Sequence, residues 1–144
     1  MVKFHYPTHP MIGIGVIVWR DDKVLLVRRK NPPLQGQWGL PGGKQQLGET
    51  IFEAAVREVR EETSLSITPL SVLTALDAIT KDNKDKIEYH YTIIEVVAEW
   101  QSGEARADDD ALDVRWAALD EVNELCGWPE VARVVRLSML QRIL

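Results

Sequence analysis

The sequence predicts an α/β sandwich, a mixed β-sheet held between helices. Three observations carry that prediction. A β-branched, apolar run lies near the start, from Met11 to Trp19. A segment from Thr50 to Thr63 carries Phe52, Ala55, Val56 and Val59 at helical spacing. The order along the chain is strands, helix, strands, helix, within 144 residues that suit one domain spanning 1–144.

Ile12 to Trp19 reads as a buried strand, with Gly13 and Gly15 interspersed. Asp21-Asp22 supplies a turn, and Lys23 to Arg29 returns as the second arm of a hairpin. Asn31 to Gly43 holds three prolines and four glycines, which makes it a loop with a brief extended piece at Trp38-Gly39-Leu40. Thr50 to Thr63 is the first helix. Ile67 to Ile79 gives one or two strands, and Lys81 to Lys86 a charged turn.

Ile87 to Trp100 is a long strand whose HYTIIEVV run suggests burial on both faces for part of its length. Ser102 to Asp110 is an acidic loop, Val114 to Ala117 a short strand, and Leu119 to Leu125 a helical turn. Pro129 opens a last helix reaching about Leu140, because its missing N–H is not needed in a first turn.

A formal net charge of −5 argues against a surface for nucleic-acid polymers, yet leaves room for a small phosphorylated substrate gathered around a cation. Cys126 is the only cysteine, so no disulfide framework or cysteine-rich zinc site is expected, and a reducing cytoplasm fits. Met11 to Trp19 is too short to span a bilayer and lacks a basic leader, so neither a membrane segment nor a signal peptide is expected.

Placed on a helix at about 100° per residue, Glu58, Glu61 and Glu62 share a face beside the apolar stripe of Phe52, Ala55, Val56 and Val59. Ala54, one turn earlier, is expected to leave open space next to them. Charged helix faces are ordinarily solvated, and Arg57 and Arg60 would suffice as partners. Two features set this one apart. Like charges at i,i+3 and i,i+4 cost about a few tenths of a kcal/mol each, with no lysine one turn away among them. Pro41-Gly42-Gly43 also lies just upstream, where a bare backbone can point its polar groups at a ligand. Hard oxygen donors so closely spaced suit Mg²⁺ or Mn²⁺, completed by phosphate oxygens of a substrate.

Gly43, Glu49, Arg57, Glu58, Val59, Glu61, Glu62 and Leu65 fall in register with the box of the Nudix family. The chain resembles that family further in Leu25-Leu26-Val27-Arg28-Arg29, in Trp38 to Gly43 and in the late VRWAALDEV segment. One position departs, because Ser64 stands where the box has glycine. Serine enters a left-handed turn less readily, at about 1 kcal/mol, so a changed helix exit is expected with the carboxylates retained.

The resemblance implies a Nudix-type α/β/α sandwich and hydrolysis of a nucleoside diphosphate linked to a further group X. It implies metal ligation by Glu58, Glu61, Glu62 and the Gly42 carbonyl. Glu58 is alternatively the base that activates water, with Glu61 and Arg57 also in the catalytic set. Arg57 would hold the glutamates, while Gly43 and Glu49 would support the loop–helix junction. Arg28, Arg29 and Trp38 are candidate substrate contacts, although a strand edge or packing would explain them too. Asp108, Asp109 and Asp110 are either a solvated loop or the source of a further acid. His5, His9 and His90 form no constellation.

Expected partners are therefore a small nucleotide and Mg²⁺ or Mn²⁺, with no nucleic-acid polymer and no membrane; a homodimer is compatible with the sequence. General likeness leans towards ADP-ribose or a related nucleotide sugar. A MutT-like triphosphate pyrophosphatase acting on oxidised nucleotides and a non-catalytic nucleotide sensor are the alternatives.

Overall fold

The computed structural model describes residues 4–32 and 34–143, so Pro33 of the expected loop and both chain ends of the expected domain lie outside it. Two parallel layers of core follow from period-2 alternation in the first strand, β1 (Met11–Arg20). Ile14, Val16 and Val18 face one side, and Ile17 and Trp19 the other. Both rows are almost wholly buried, so this strand sits inside a sheet covered on both faces.

The remaining elements are β2 (Lys23–Arg29), β3 (Trp38–Gly39), β4 (Gly42–Lys44), α1 (Ile51–Thr63), β5 (Ser66–Lys81), β6 (Ile87–Ser102), β7 (Ala111–Ala118), α2 (Leu119–Leu125) and α3 (Pro129–Ile143). The sheet runs β3-β2-β1-β6-β5, with β4 also on β1 and β7 also on β2. β1 and β6 are parallel, from Met11 against Tyr91 to Trp19 against Glu99, and the other strand pairs are antiparallel. The expected mixed sheet between helices is the observed one.

One face of the sheet packs on α1 through Ala54, Ala55 and Val59. The other packs on α2 and α3 through Val122, Val131, Val134 and Val135. The segment expected as one or two strands is a single edge strand, β5, with register shifts at Pro69/Ser71 and Val72/Thr74. Proline is tolerated there because an edge strand need not donate on both sides.

Thr50 caps α1 by accepting from the Glu53 N–H at 3.1 Å, while Glu53 accepts from the Thr50 N–H at 2.9 Å. The helix is rotated from the expected orientation. Phe52 is 38% exposed, on the wall of an open groove of about 520 Å³ with Val56 and Pro69, while Ala54 is fully buried in the core. Small residues let the helix approach the sheet closely, and the bulky Phe52 is displaced to the outer flank. Truncating it would therefore not empty a core site.

Ser64 does take the left-handed conformation, at φ 66°, and its N–H donates to the Arg60 carbonyl at 2.9 Å. The expected change of helix exit is absent. The conformation is retained against the preference of an L side chain, so Ser64→Gly is expected to stabilise the fold by about 1 kcal/mol in chemical denaturation.

Candidate active site

The turn into β4 and the buried side of α1 bring the acidic residues together. Gly42 has φ 152°, and a Cβ on it would lie 1.9 Å from the Ile14 carbonyl oxygen, so only glycine fits against β1. Its N–H donates to Glu62 Oε1 at 2.8 Å. A Cβ on Gly43 would meet the Glu58 carboxyl at 2.4 Å, so the second glycine makes the seat for that carboxylate. Both glycines are thus needed where two backbones and two carboxyl groups crowd together.

Arg57 organises the rest. Its Nε donates to Glu49 Oε2 at 2.6 Å and its Nη1 to Glu58 Oε1 at 2.8 Å. Nη1 also reaches Glu61 Oε2 at 3.2 Å, and Nη2 donates to the Lys44 carbonyl at 2.9 Å. One planar guanidinium therefore ties α1 to the loop before it and to β4. The hydrogen bond from Arg57 holds the Glu49 carboxyl below the usual range.

Glu58 and Glu62 shift in the direction opposite to Glu49. Burial raises the Glu58 carboxyl despite the Arg57 hydrogen bond, and burial pushes Glu62 up to about 8 despite the Gly42 N–H. The charges of Asp110 and of Glu58 itself add to the rise at Glu62, and Arg29 opposes it. Two carboxylates desolvated in one place without full compensation would gain from a cation placed beside them.

The donor set fits a hard divalent ion in kind. Among the described residues, no three His, Cys, Asp or Glu side chains converge on a ready-made metal position. Arg57 draws Glu58 and Glu61 towards itself, and Gly42 draws Glu62. Such an arrangement suits an ion held by one or two carboxylates, with water and substrate oxygens making up the shell.

The other sequence-predicted residues separate. Arg29, at the end of β2, lies close enough to act on both Glu62 and Tyr91. Arg28 is exposed and donates to the Gly36 carbonyl at 3.0 Å, so it braces its own loop. Trp38 packs against the core beside α2 and α3 and is half-buried. The Asp108 N–H donates to the Glu62 carbonyl at 2.9 Å, which holds the acidic loop against the end of α1. Asp110 accepts from Asn31 and adds negative charge near Glu58 and Glu62.

Sequence reasoning missed Glu95. It lies in β6, is 3% exposed, and its Oε2 has no hydrogen-bond partner among the described residues. The signal was a lone glutamate inside IIEVVA, a run already read as buried on both faces. Burial pushes its carboxyl from 4.5 up to about 7. Between those values the folded chain keeps a proton that the unfolded chain has released, so this group's contribution to stability falls as pH rises. The stability difference between wild type and Glu95→Gln is expected to shift against wild type by up to about 3 kcal/mol between pH ~4.5 and ~7.5. Urea unfolding at several pH values measures it, and a level difference would mean that the carboxyl is solvated.

Known proteins bear on this geometry in three ways. The family model described as NUDIX domain matches residues 9–137. The chain is 34% identical over 123 residues to an ADP-ribose pyrophosphatase of Methanocaldococcus jannaschii, covering 85% of this chain and 70% of that protein. A shorter stretch of 63 residues, 44% of this chain and 20% of the other, is 39% identical to the human 8-oxo-dGDP phosphatase NUDT18.

Among solved structures, a MutT NUDIX hydrolase from Burkholderia pseudomallei superposes with TM-score 0.72 at 30% identity, over 92% of this chain and 98% of that one. The NUDIX domain of Shewanella oneidensis NrtR, solved with ADP ribose, shares the fold at TM-score 0.72 and 20% identity, over 95% and 90% of the two chains.

Proposed function

The chain belongs to the NUDIX family and is a pyrophosphohydrolase acting on phosphoric anhydrides; we propose that its substrate is ADP-ribose or a related nucleotide sugar, cleaved with Mg²⁺. The observation that carries the reading is the pair of desolvated carboxyl groups, Glu58 and Glu62, seated on the Gly42-Gly43 turn and braced by Arg57. Likeness to an ADP-ribose pyrophosphatase over most of the chain supports the choice of substrate.

In this reading the ion is held by one or two of the Glu58, Glu61 and Glu62 carboxylates with the Gly42 carbonyl, and water and substrate oxygens complete its shell. A bound divalent ion supplies neutralisation of the phosphoryl oxygens and a more acidic water. Glu58, whose carboxyl burial raises above its ordinary range, is alternatively the base that accepts the proton of the attacking water when it is not a ligand. The water oxygen bonds to phosphorus, and the anhydride oxygen leaves with the electron pair. ADP-ribose would thus give AMP and ribose 5-phosphate. Arg57 positions Glu58 and Glu61, and Arg29 offers its charge to a substrate phosphate.

The test is a panel of ADP-ribose, other nucleotide sugars, 8-oxo-dGDP and nucleoside triphosphates, assayed with Mg²⁺ and with Mn²⁺ and with products identified. Hydrolysis of ADP-ribose to AMP is the expected result. Selective turnover of oxidised guanine nucleotides, for which the match to NUDT18 speaks, would replace the substrate. Tight binding without turnover would mark a sensor.

A further inference from the structure

The outer flank of α1 is the side of the site-bearing helix that its own fold leaves uncovered. At about 100° per residue, Phe52, Val56, Arg60 and Glu53 fall within about 100° of arc, outside the buried row of Ala54, Ala55, Val59 and Glu62. Phe52 and Val56 line the open groove between this flank and Pro69 of β5, and Glu53 and Arg60 line it too.

Beyond Pro69 the apolar surface continues along β5. Register sets Val72 beside Val96 and Ala75 beside Ile94, whose side chains belong to the α1 side of the sheet. Val72 is 48% exposed and Phe52 38%, so the helix covers the middle of the sheet and stops short of this edge. Apolar surface running unbroken from a helix onto a strand marks a place of contact. The charges beside it select the occupant.

Arg60 is exposed and makes no ion pair among the described residues, and Glu53 accepts from the Thr50 N–H through Oε1 only. The two lie seven residues apart, about 10 Å along the helix, with opposite signs. When a second α1 is turned antiparallel about a two-fold axis crossing near Val56, Glu53 of each copy meets Arg60 of the other. The axis runs across both helices, so the groove side of one copy faces the groove side of its mate. Phe52, Val56, Pro69 and Val72 of both copies then enclose one apolar zone. A parallel pairing would instead set Glu53 against Glu53 and Arg60 against Arg60.

We propose that the outer flank of α1, with the adjoining face of β5, is a homodimer interface in which the two α1 helices pack antiparallel across a two-fold axis near Val56. One patch that complements itself in both charge and apolar surface is what such a closed, isologous contact requires. The apolar zone supplies the affinity, and the exposed Glu53–Arg60 pairs fix the orientation. Arg57 and Glu61 border the same groove, so the contact reaches the site-bearing helix from behind and leaves its ion-facing carboxylates free. It does not depend on which substrate is cleaved.

Sedimentation equilibrium across the micromolar range tests this on wild type, Phe52→Ser, Arg60→Glu and the double variant Glu53→Lys with Arg60→Glu. Wild type is expected to dimerise. Phe52→Ser should raise the dissociation constant at least about tenfold by placing a hydroxyl in the apolar zone. Arg60→Glu should do the same, because one reversal turns both Glu53–Arg60 contacts into like-charge pairs. The double variant should recover most of that loss, since each contact again joins opposite signs.

Glu53→Lys also removes half of the capping box at Thr50, so thermal melts accompany every sample. Phe52→Ser and Arg60→Glu leave that cap intact and carry the test if the double variant melts early. A monomeric wild type would assign the groove to a different partner and overturn the proposal. So would a dimer whose dissociation constant is unchanged in both single variants, or a folded double variant that dimerises no better than Arg60→Glu.

Discussion

Glu62→Gln is expected to lower turnover at least about a hundredfold while the protein stays folded and melts close to wild type. The amide keeps the volume of the side chain and can still accept from the Gly42 N–H, now made at 2.8 Å. What disappears is the capacity to ionise against a cation. Glu62 is 6% exposed and burial pushes its carboxyl up to about 8, so without an ion it is largely neutral near pH 7 and an amide of the same shape should cost the fold little. Activity and melting temperature should therefore move independently. Steady-state rates with ADP-ribose and thermal melts on the same samples decide it. A near-normal rate would remove Glu62 from the ion-binding set, and a large fall in melting temperature would make it a structural residue. Glu61→Gln is the companion variant, with a more exposed side chain and the same expected loss of rate.

The largest expected loss of stability is at Trp19. Its ring is 2% exposed in the core on the α3 side, its Nε1–H donates to Ser138 Oγ at 2.9 Å, and the Arg142 guanidinium lies 4.6 Å from its centroid. Trp19→Ala is expected to cost about 3–5 kcal/mol, because the cavity would lie in the buried layer between β1 and α3. Trp19→Phe keeps most of the apolar volume and removes the donor, at about 1–2 kcal/mol. Urea unfolding of the pair separates packing from the hydrogen bond. A loss below about 1 kcal/mol in the alanine variant would mean that α3 docks without this contact.

Several elements were legible because their causes are local. Thr50 and Glu53 cap one end of α1 through neighbours three residues apart, and Asp21-Asp22 closes the hairpin between β1 and β2. The box glutamates could be placed on one helix because their spacing matches a helical turn. Phe52 was misplaced for the same reason that it was tempting. Apolar periodicity names a face of a helix, whereas the size of the residues facing the sheet decides which part of that face touches it. The retained left-handed turn at Ser64 is another case, since the preference of one residue for a conformation is worth about 1 kcal/mol and packing on both sides outweighs it.

By itself the sequence determined the family, the sandwich class and the list of acidic residues, all of which depend on spacings within a helix turn or a strand pleat. The tertiary structure alone decided how they meet. It set β1 parallel to β6, brought the Gly42 N–H to the Glu62 carboxyl, and laid Glu95 over Gly15. These are contacts between residues far apart in the chain, fixed by sheet register and packing, and no local pattern records which strand will lie beside which.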